Sequence, residues 1–291
     1  MDGQHDETWI HREVDLSDFR MHFVEQGEGP LVVLLHGFPE YWRSWRLQIP
    51  ALAEAGYRVV APDMRGYNLS GKPKGVGSYR GRKLAQDVSE LISACDAERA
   101  IVVGHDWGAV VAWLFAMYHP EQLDRLGILN VPHPMRMLQG FRTLRQLRKS
   151  WYVFFFQIPG LPEAMIRRKD HAMLWRTFRT EPTLRGVMSD EDIQGYVDAM
   201  AQPGTLEAAV NYYRAALRYP NLRDMHRIEK EVLVIWGEQD LYLGAELAAP
   251  DPKWVPNARV ERIPEASHWV HLDAADQVNR LLIDFLAATS P

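Results

Sequence analysis

Hydrophobic and polar positions along the chain fall into two alternating patterns. Residues 13–16 and 21–25 are short β-like runs and predict an opening hairpin. Leu31–Leu35 is a continuous apolar run ending at His36-Gly37, the pattern of a strand buried on both faces. Residues 42–55 carry apolar positions at helical spacing and stop at Gly56, and Pro50 is expected to kink or divide that helix. Strand-like 57–61, helical 84–94, strand-like 100–103, helical 109–118 and strand-like 126–129 follow in turn. This alternation predicts an α/β fold with a mostly parallel sheet and helices on both faces.

The alternation breaks at Val131. Residues 131–224 read as helical and aromatic-rich with few strand signals. Strands at 232–236 and 259–263 and an amphipathic helix at 274–286 then resume the pattern. The simplest organisation is one sheet with a helical insertion: residues 1–132 and 226–291 form the core, and 133–225 form a cap. Ligands of open α/β sheets bind at the C-terminal edge of the strands, so the insertion is expected there as a lid.

Composition narrows the function classes. The 291 residues are 47% apolar and 24% charged, the balance of a globular protein. A net charge of -5 lacks the basic footprint of a nucleic-acid binder. The longest near-continuous apolar run, 109–117, is too short for a bilayer, and the polar first residues hold no signal-like apolar core. A cytoplasmic protein with neither nucleic-acid nor membrane partners is expected; monomer and homodimer both stay open. One cysteine, Cys95, excludes an internal disulfide and a cysteine-rich metal site, and no cofactor or metal is expected. Residues 136–179 hold ten Lys or Arg and two acids, Glu163 and Asp170. Solvated helix faces account for that, and an entrance attracting anionic substrates is the sharper reading.

The most informative stretch is Gly104-His105-Asp106-Trp107-Gly108. It has the form small–x–nucleophile–x–small at a strand-to-helix junction, where a sharp turn lifts the central side chain above the sheet edge. Taken alone, Asp106 reads equally well as an ordinary helix N-cap. As a nucleophile it would be ionised at neutral pH without help from a base. Attack on a saturated carbon bearing a leaving group would give a stable alkyl ester, which must then be hydrolysed by an activated water. Asp240, just past the strand at 232–236, and His268, after the last predicted strand, supply the carboxylate and base for that step. Glu238 and His271 are their rivals in the same loops. The turn His36-Gly37-Phe38-Pro39 is expected to aim the Phe38 backbone N–H at the site, beside the Trp107 N–H, as an oxyanion hole.

Together HGFPEYW, GHDWGA, WGEQD and SHWVH resemble the epoxide hydrolase branch of the α/β-hydrolase superfamily, and the order nucleophile, acid, histidine fits that superfamily. The resemblance spans essentially the whole chain. It implies epoxide conversion to vicinal diols, with water as second substrate, and two lid tyrosines that hydrogen-bond the epoxide oxygen. Tyr152, near Phe156-Gln157 and Pro159-Gly160, and Tyr213 are the candidates; Tyr212 stands where the family pattern has tryptophan. Helical spacing favours Tyr213, which shares a face with Leu206, Val210 and Leu217. His36, Pro39, Trp107, Phe155 and Trp269 are expected against the substrate. A dehalogenase with the same aspartate is the nearest alternative, with Trp151 and Trp175 as halide donors. A non-catalytic binding protein is a further one, although no triad position is degenerate.

Overall fold

Eight strands make one sheet in the computed structural model, which describes residues 9–220 and 225–288. They are β1 (Ile10–Asp15), β2 (Arg20–Gln26), β3 (Leu31–Leu35), β4 (Arg58–Pro62), β5 (Ala100–His105), β6 (Leu123–Leu129), β7 (Val232–Gly237) and β8 (Ala258–Ile263). Their spatial order is β1-β2-β4-β3-β5-β6-β7-β8. β1 and β2 run antiparallel to their neighbours, and every other pairing is parallel. The central strands β3, β5 and β7 are buried at every position, which is why they read as unbroken apolar runs. β1, at the edge, is mostly exposed.

Three helices precede the insertion: α1 (Gln48–Glu54), α2 (Gly81–Ala94) and α3 (Trp107–Tyr118). Six follow β6, namely α4 (Pro134–Gly140), α5 (Leu144–Lys149), α6 (Trp151–Phe155), α7 (Leu161–Thr180), α8 (Asp190–Ala201) and α9 (Thr205–Arg218). α10 (Val270–Asp273) and α11 (Ala275–Ala287) are the last helices among the described residues. α2 packs on α3 and α1 on α11, so the sheet is covered on both faces. α3 is apolar all round because it lies between the sheet and α2.

Several expectations change in detail. The segment 42–55 is a 3-10 turn at Trp42–Trp45 followed by α1, and Pro50 sits in the first turn of α1, where its missing N–H costs no helical bond. α7 is two helical pieces, because Lys169, Asp170 and His171 adopt left-handed backbone without a glycine to signal it. The helical insertion between β6 and β7 is present; its expected end near Asp224 lies outside the described residues, as do the first eight residues. No described helix is long and apolar enough to cross a membrane.

Candidate active site

The end of β5 and the start of α3 meet at Asp106, whose backbone is held at φ 48°, ψ -123°. Such a conformation is costly for a residue with a side chain, about 1–3 kcal/mol, and is found where a turn must aim a functional group. The flanking glycines make the turn possible. A Cβ on Gly104 would lie 2.6 Å from Ala109 N, and one on Gly108 would lie 2.6 Å from His36 O. Asp106 makes no capping bond to α3, which removes the N-cap reading. Its Oδ1 instead accepts the Phe38 backbone N–H at 2.7 Å. Gly37 leaves room for this contact: a Cβ there would sit 2.5 Å from Asp106 Oδ1. Trp107 is the first residue of α3, where backbone N–H groups have no partner within the helix.

On the other side, Asp106 Oδ2 lies 3.4 Å from His268 Nε2. His268 Nδ1 is 2.7 Å from Asp240 Oδ2. Asp240 is buried and accepts the backbone N–H groups of Tyr242 at 2.7 Å and Leu243 at 2.9 Å, and the Asn130 amide at 2.8 Å. The rivals are elsewhere. Glu238 pairs with Arg262 at the surface, and His271 is buried facing Glu40, with Nε2 3.7 Å from Oε1.

Electrostatics follow from this chain of charges. Burial disfavours ionisation of all three groups, but the Asp240 charge and the hydrogen bonds to both carboxylates hold the His268 imidazolium well above the usual histidine range. Asp106 and Asp240 sit below the ordinary aspartate value for the reciprocal reason, their contacts with His268 outweighing burial. The resting site is therefore an aspartate–imidazolium–aspartate array. Removing one carboxylate charge should lower the His268 pKa, so NMR titration of labelled His268 is expected to show a downward shift in Asp106→Asn. Because the folded value is raised, the stability it confers is full below about pH 6.5 and fades as pH rises through the folded value. An unchanged His268 titration in the variant would contradict this array.

Above the carboxylate opens a cavity of about 480 Å³. Tyr152 and Tyr213 line it together with Asp106 and Trp107, and their rings are 5.9 Å apart. Burial and then the Asp106 charge push both phenols above their ordinary value. Their helices are fastened to each other. Arg214 of α9 binds the Phe156 and Ile158 carbonyls at 3.1 and 2.9 Å and the buried Glu163 carboxylate at 2.7 Å, while Gln157 donates to the Tyr213 carbonyl at 3.1 Å. Tyr212 points its hydroxyl away, to the Arg65 carbonyl at 2.7 Å.

Residues 30–275 match the family described as alpha/beta hydrolase fold. The AB hydrolase superfamily protein YfhM of Bacillus subtilis is 41% identical over 280 residues, 94% of this chain and 96% of that one. Human epoxide hydrolase 4 is 37% identical, over 93% of this chain and 76% of its own length. A solved mutant of an epoxide hydrolase from Bacillus megaterium aligns with a TM-score of 0.87 at 30% identity, covering 95% of this chain and 100% of that one. The chain belongs to the epoxide hydrolases of the α/β-hydrolase-fold family.

Within this epoxide hydrolase fold, the pocket wall differs from the sequence expectation. Of the five side chains expected against substrate, only Trp107 lines the cavity. His36 is fully buried, its ring bonded to Gly37 O and Met64 N, and Pro39 is buried beside it. Phe155 turns to Trp151 and Phe156, and Trp269 packs among Phe178, Tyr242 and His268. Trp151 is 60% exposed and Trp175 stacks under Arg179, so neither proposed halide donor reaches the cavity. Among the described residues the lid's basic side chains are mostly exposed and none lines it, which fits solvated faces.

Two supporting groups in this epoxide hydrolase escape the sequence reading. Asn130, at the end of β6, ties Asp240 to β7 through Gly237 N at 2.8 Å. Glu40 accepts the Gly37 N–H at 2.9 Å and lies 3.0 Å from His105 Nδ1, while His105 Nε2 lies 2.9 Å from the His268 carbonyl oxygen. Glu40 thereby links the loop that holds Asp106 to the loop that holds His268. Among the described residues, Glu40, His105 and His271 are the one group spaced to hold a metal ion. All three are fully buried, and both His105 nitrogens are already engaged.

Proposed function

We propose that the protein hydrolyses epoxides to vicinal diols through a covalent ester on Asp106. The observation that carries this reading is the placement of one carboxylate: Oδ1 on the Phe38 N–H, Oδ2 beside His268, and two tyrosines sharing its cavity. Asp106 keeps 16% of its side chain open, enough to meet a substrate carbon. The helices α4 to α9 act as the lid that carries the tyrosines.

In the first step an Asp106 oxygen attacks one ring carbon from the side opposite the epoxide oxygen, and the C–O bond of that same carbon breaks. A tyrosine O–H gives its proton to the departing oxygen, which would otherwise leave as a strongly basic alkoxide. Esterification removes the Asp106 charge, one of the interactions holding the proton on His268. That proton returns to the tyrosinate, and His268 becomes a neutral base steadied by Asp240. It then takes a proton from water as the hydroxide adds to the ester carbonyl. The oxyanion forms where the Phe38 and Trp107 N–H groups can receive it. Collapse expels the ester's alcohol oxygen, which takes the proton of the newly added hydroxyl, and so releases the diol and restores the Asp106–His268 ion pair.

The substrate is a small uncharged epoxide, because among the described residues Asp106 is the single charged side chain on the cavity wall. A single turnover in H₂¹⁸O tests the route. The label is expected in the Asp106 carboxyl, seen as a mass shift in its peptide, with an unlabelled first diol. Label delivered directly to the diol would mean that water, not Asp106, attacks the ring.

A further inference from the structure

The walls of the cavity are unequal, and the reaction geometry gives that inequality a meaning. From Asp106 the open space runs chiefly along α3, α4 and α9, and Leu243 of the Asp240 loop also reaches its wall. Val110 and Trp113 of α3, Met137 and Phe141 at α4, Leu84 of α2 and Leu217 of α9 surround it. On the His268 side aromatic rings pack closely against one another. The Tyr242 ring stands 5.4 Å from the His268 ring, 5.5 Å from Tyr152 and 6.2 Å from Trp269. Trp269 in turn packs on Phe178 at 5.8 Å. None of Tyr242, Trp269 and Phe178 lines the cavity. Tyr242 is also tethered at its tip, its hydroxyl donating to Glu181 Oε2 at 2.5 Å across the gap between α7 and the Asp240 loop.

An epoxide attacked by Asp106 must lie with its oxygen toward Tyr152 and Tyr213 and its two carbons across the carboxylate. A terminal epoxide carries one substituent, which the open side can receive. A trans-1,2-disubstituted epoxide carries two that point in opposite directions, so it needs space on the His268 side as well. We propose that Tyr242, held by Glu181, is a specificity-determining plug that restricts this enzyme to epoxides bearing a single apolar substituent. The inference rests on the epoxide hydrolase reading above and narrows its substrate class. Trp269 and Phe178 are each 2% exposed and belong to the core, whereas Tyr242 is partly exposed and its side chain can be shortened. Its contribution to Asp240 is the backbone N–H, which any substitution other than proline retains.

The test compares kcat/KM for styrene oxide and trans-stilbene oxide, each protein giving its own ratio so that differences in folded fraction cancel. Steric exclusion of this kind is expected to favour styrene oxide by about 100-fold in the wild type. Tyr242→Val should narrow that preference by about tenfold or more, and Glu181→Ala, which frees the ring without touching Asp240, should narrow it by a smaller factor. A wild type that takes both epoxides equally well overturns the plug, as do ratios unchanged in either variant. If Tyr242→Val fails to fold, the wild-type and Glu181→Ala ratios still decide the matter. A wild type inactive on both epoxides is a different result, since it overturns the epoxide hydrolase reading itself.

Discussion

His268→Gln is expected to leave the protein loaded with its own intermediate. Ring opening needs the Asp106 carboxylate and a tyrosine proton, and glutamine leaves both in place. Ester hydrolysis needs a group that can accept a proton from water, and an amide cannot do so. Loss of a general base slows a step by roughly 10²–10⁴-fold, so the ester should outlast a mass measurement. Intact-mass analysis after mixing with styrene oxide should show one added substrate per chain, and peptide mapping should place it on Asp106. Asp106→Ala should acquire nothing. A His268→Gln protein that turns over steadily with no adduct would show that His268 is not the base.

The second large effect belongs to the tyrosines. With both hydroxyls removed, in Tyr152→Phe with Tyr213→Phe, the epoxide oxygen would leave as an unprotonated alkoxide. Rapid mixing with acid quench should find alkylation slower by roughly 10²–10⁴-fold, the usual worth of a positioned acid. Hydrolysis of the ester should change far less, because it draws on His268, Asp240 and backbone donors. Each single variant should fall between the wild type and the pair, since each phenol lies within the field of Asp106. Equal slowing of both steps would mean that the substitutions loosen the lid rather than remove an acid.

How much of this was legible in the sequence depends on whether the signal was local. β3 and β7 announce themselves because a strand buried on both faces must be apolar throughout. Asp106 is visible because its strained turn demands glycine two residues to either side. Asn130, Glu40 and Arg214 are different. Each is an ordinary polar residue in the sequence, and its importance lies in a partner far along the chain, as with Asn130 and Asp240 or Glu40 and His105. The pocket wall is hidden from the sequence for a related reason. His36, Pro39, Phe155 and Trp269 adjoin the motifs, but adjacency says nothing about direction, and their side chains turn into the core or toward other aromatics. The true wall comes from the phase of α3, α4 and α9, which only their packing fixes.

The Arg214 anchor has a mechanical result. By binding the end of α6 and the start of α7 from its place on α9, it makes the two phenols passengers on a single frame. The spacing between the two hydroxyls is thereby set within that frame, so a substitution that loosens Arg214 should disturb both phenols at once.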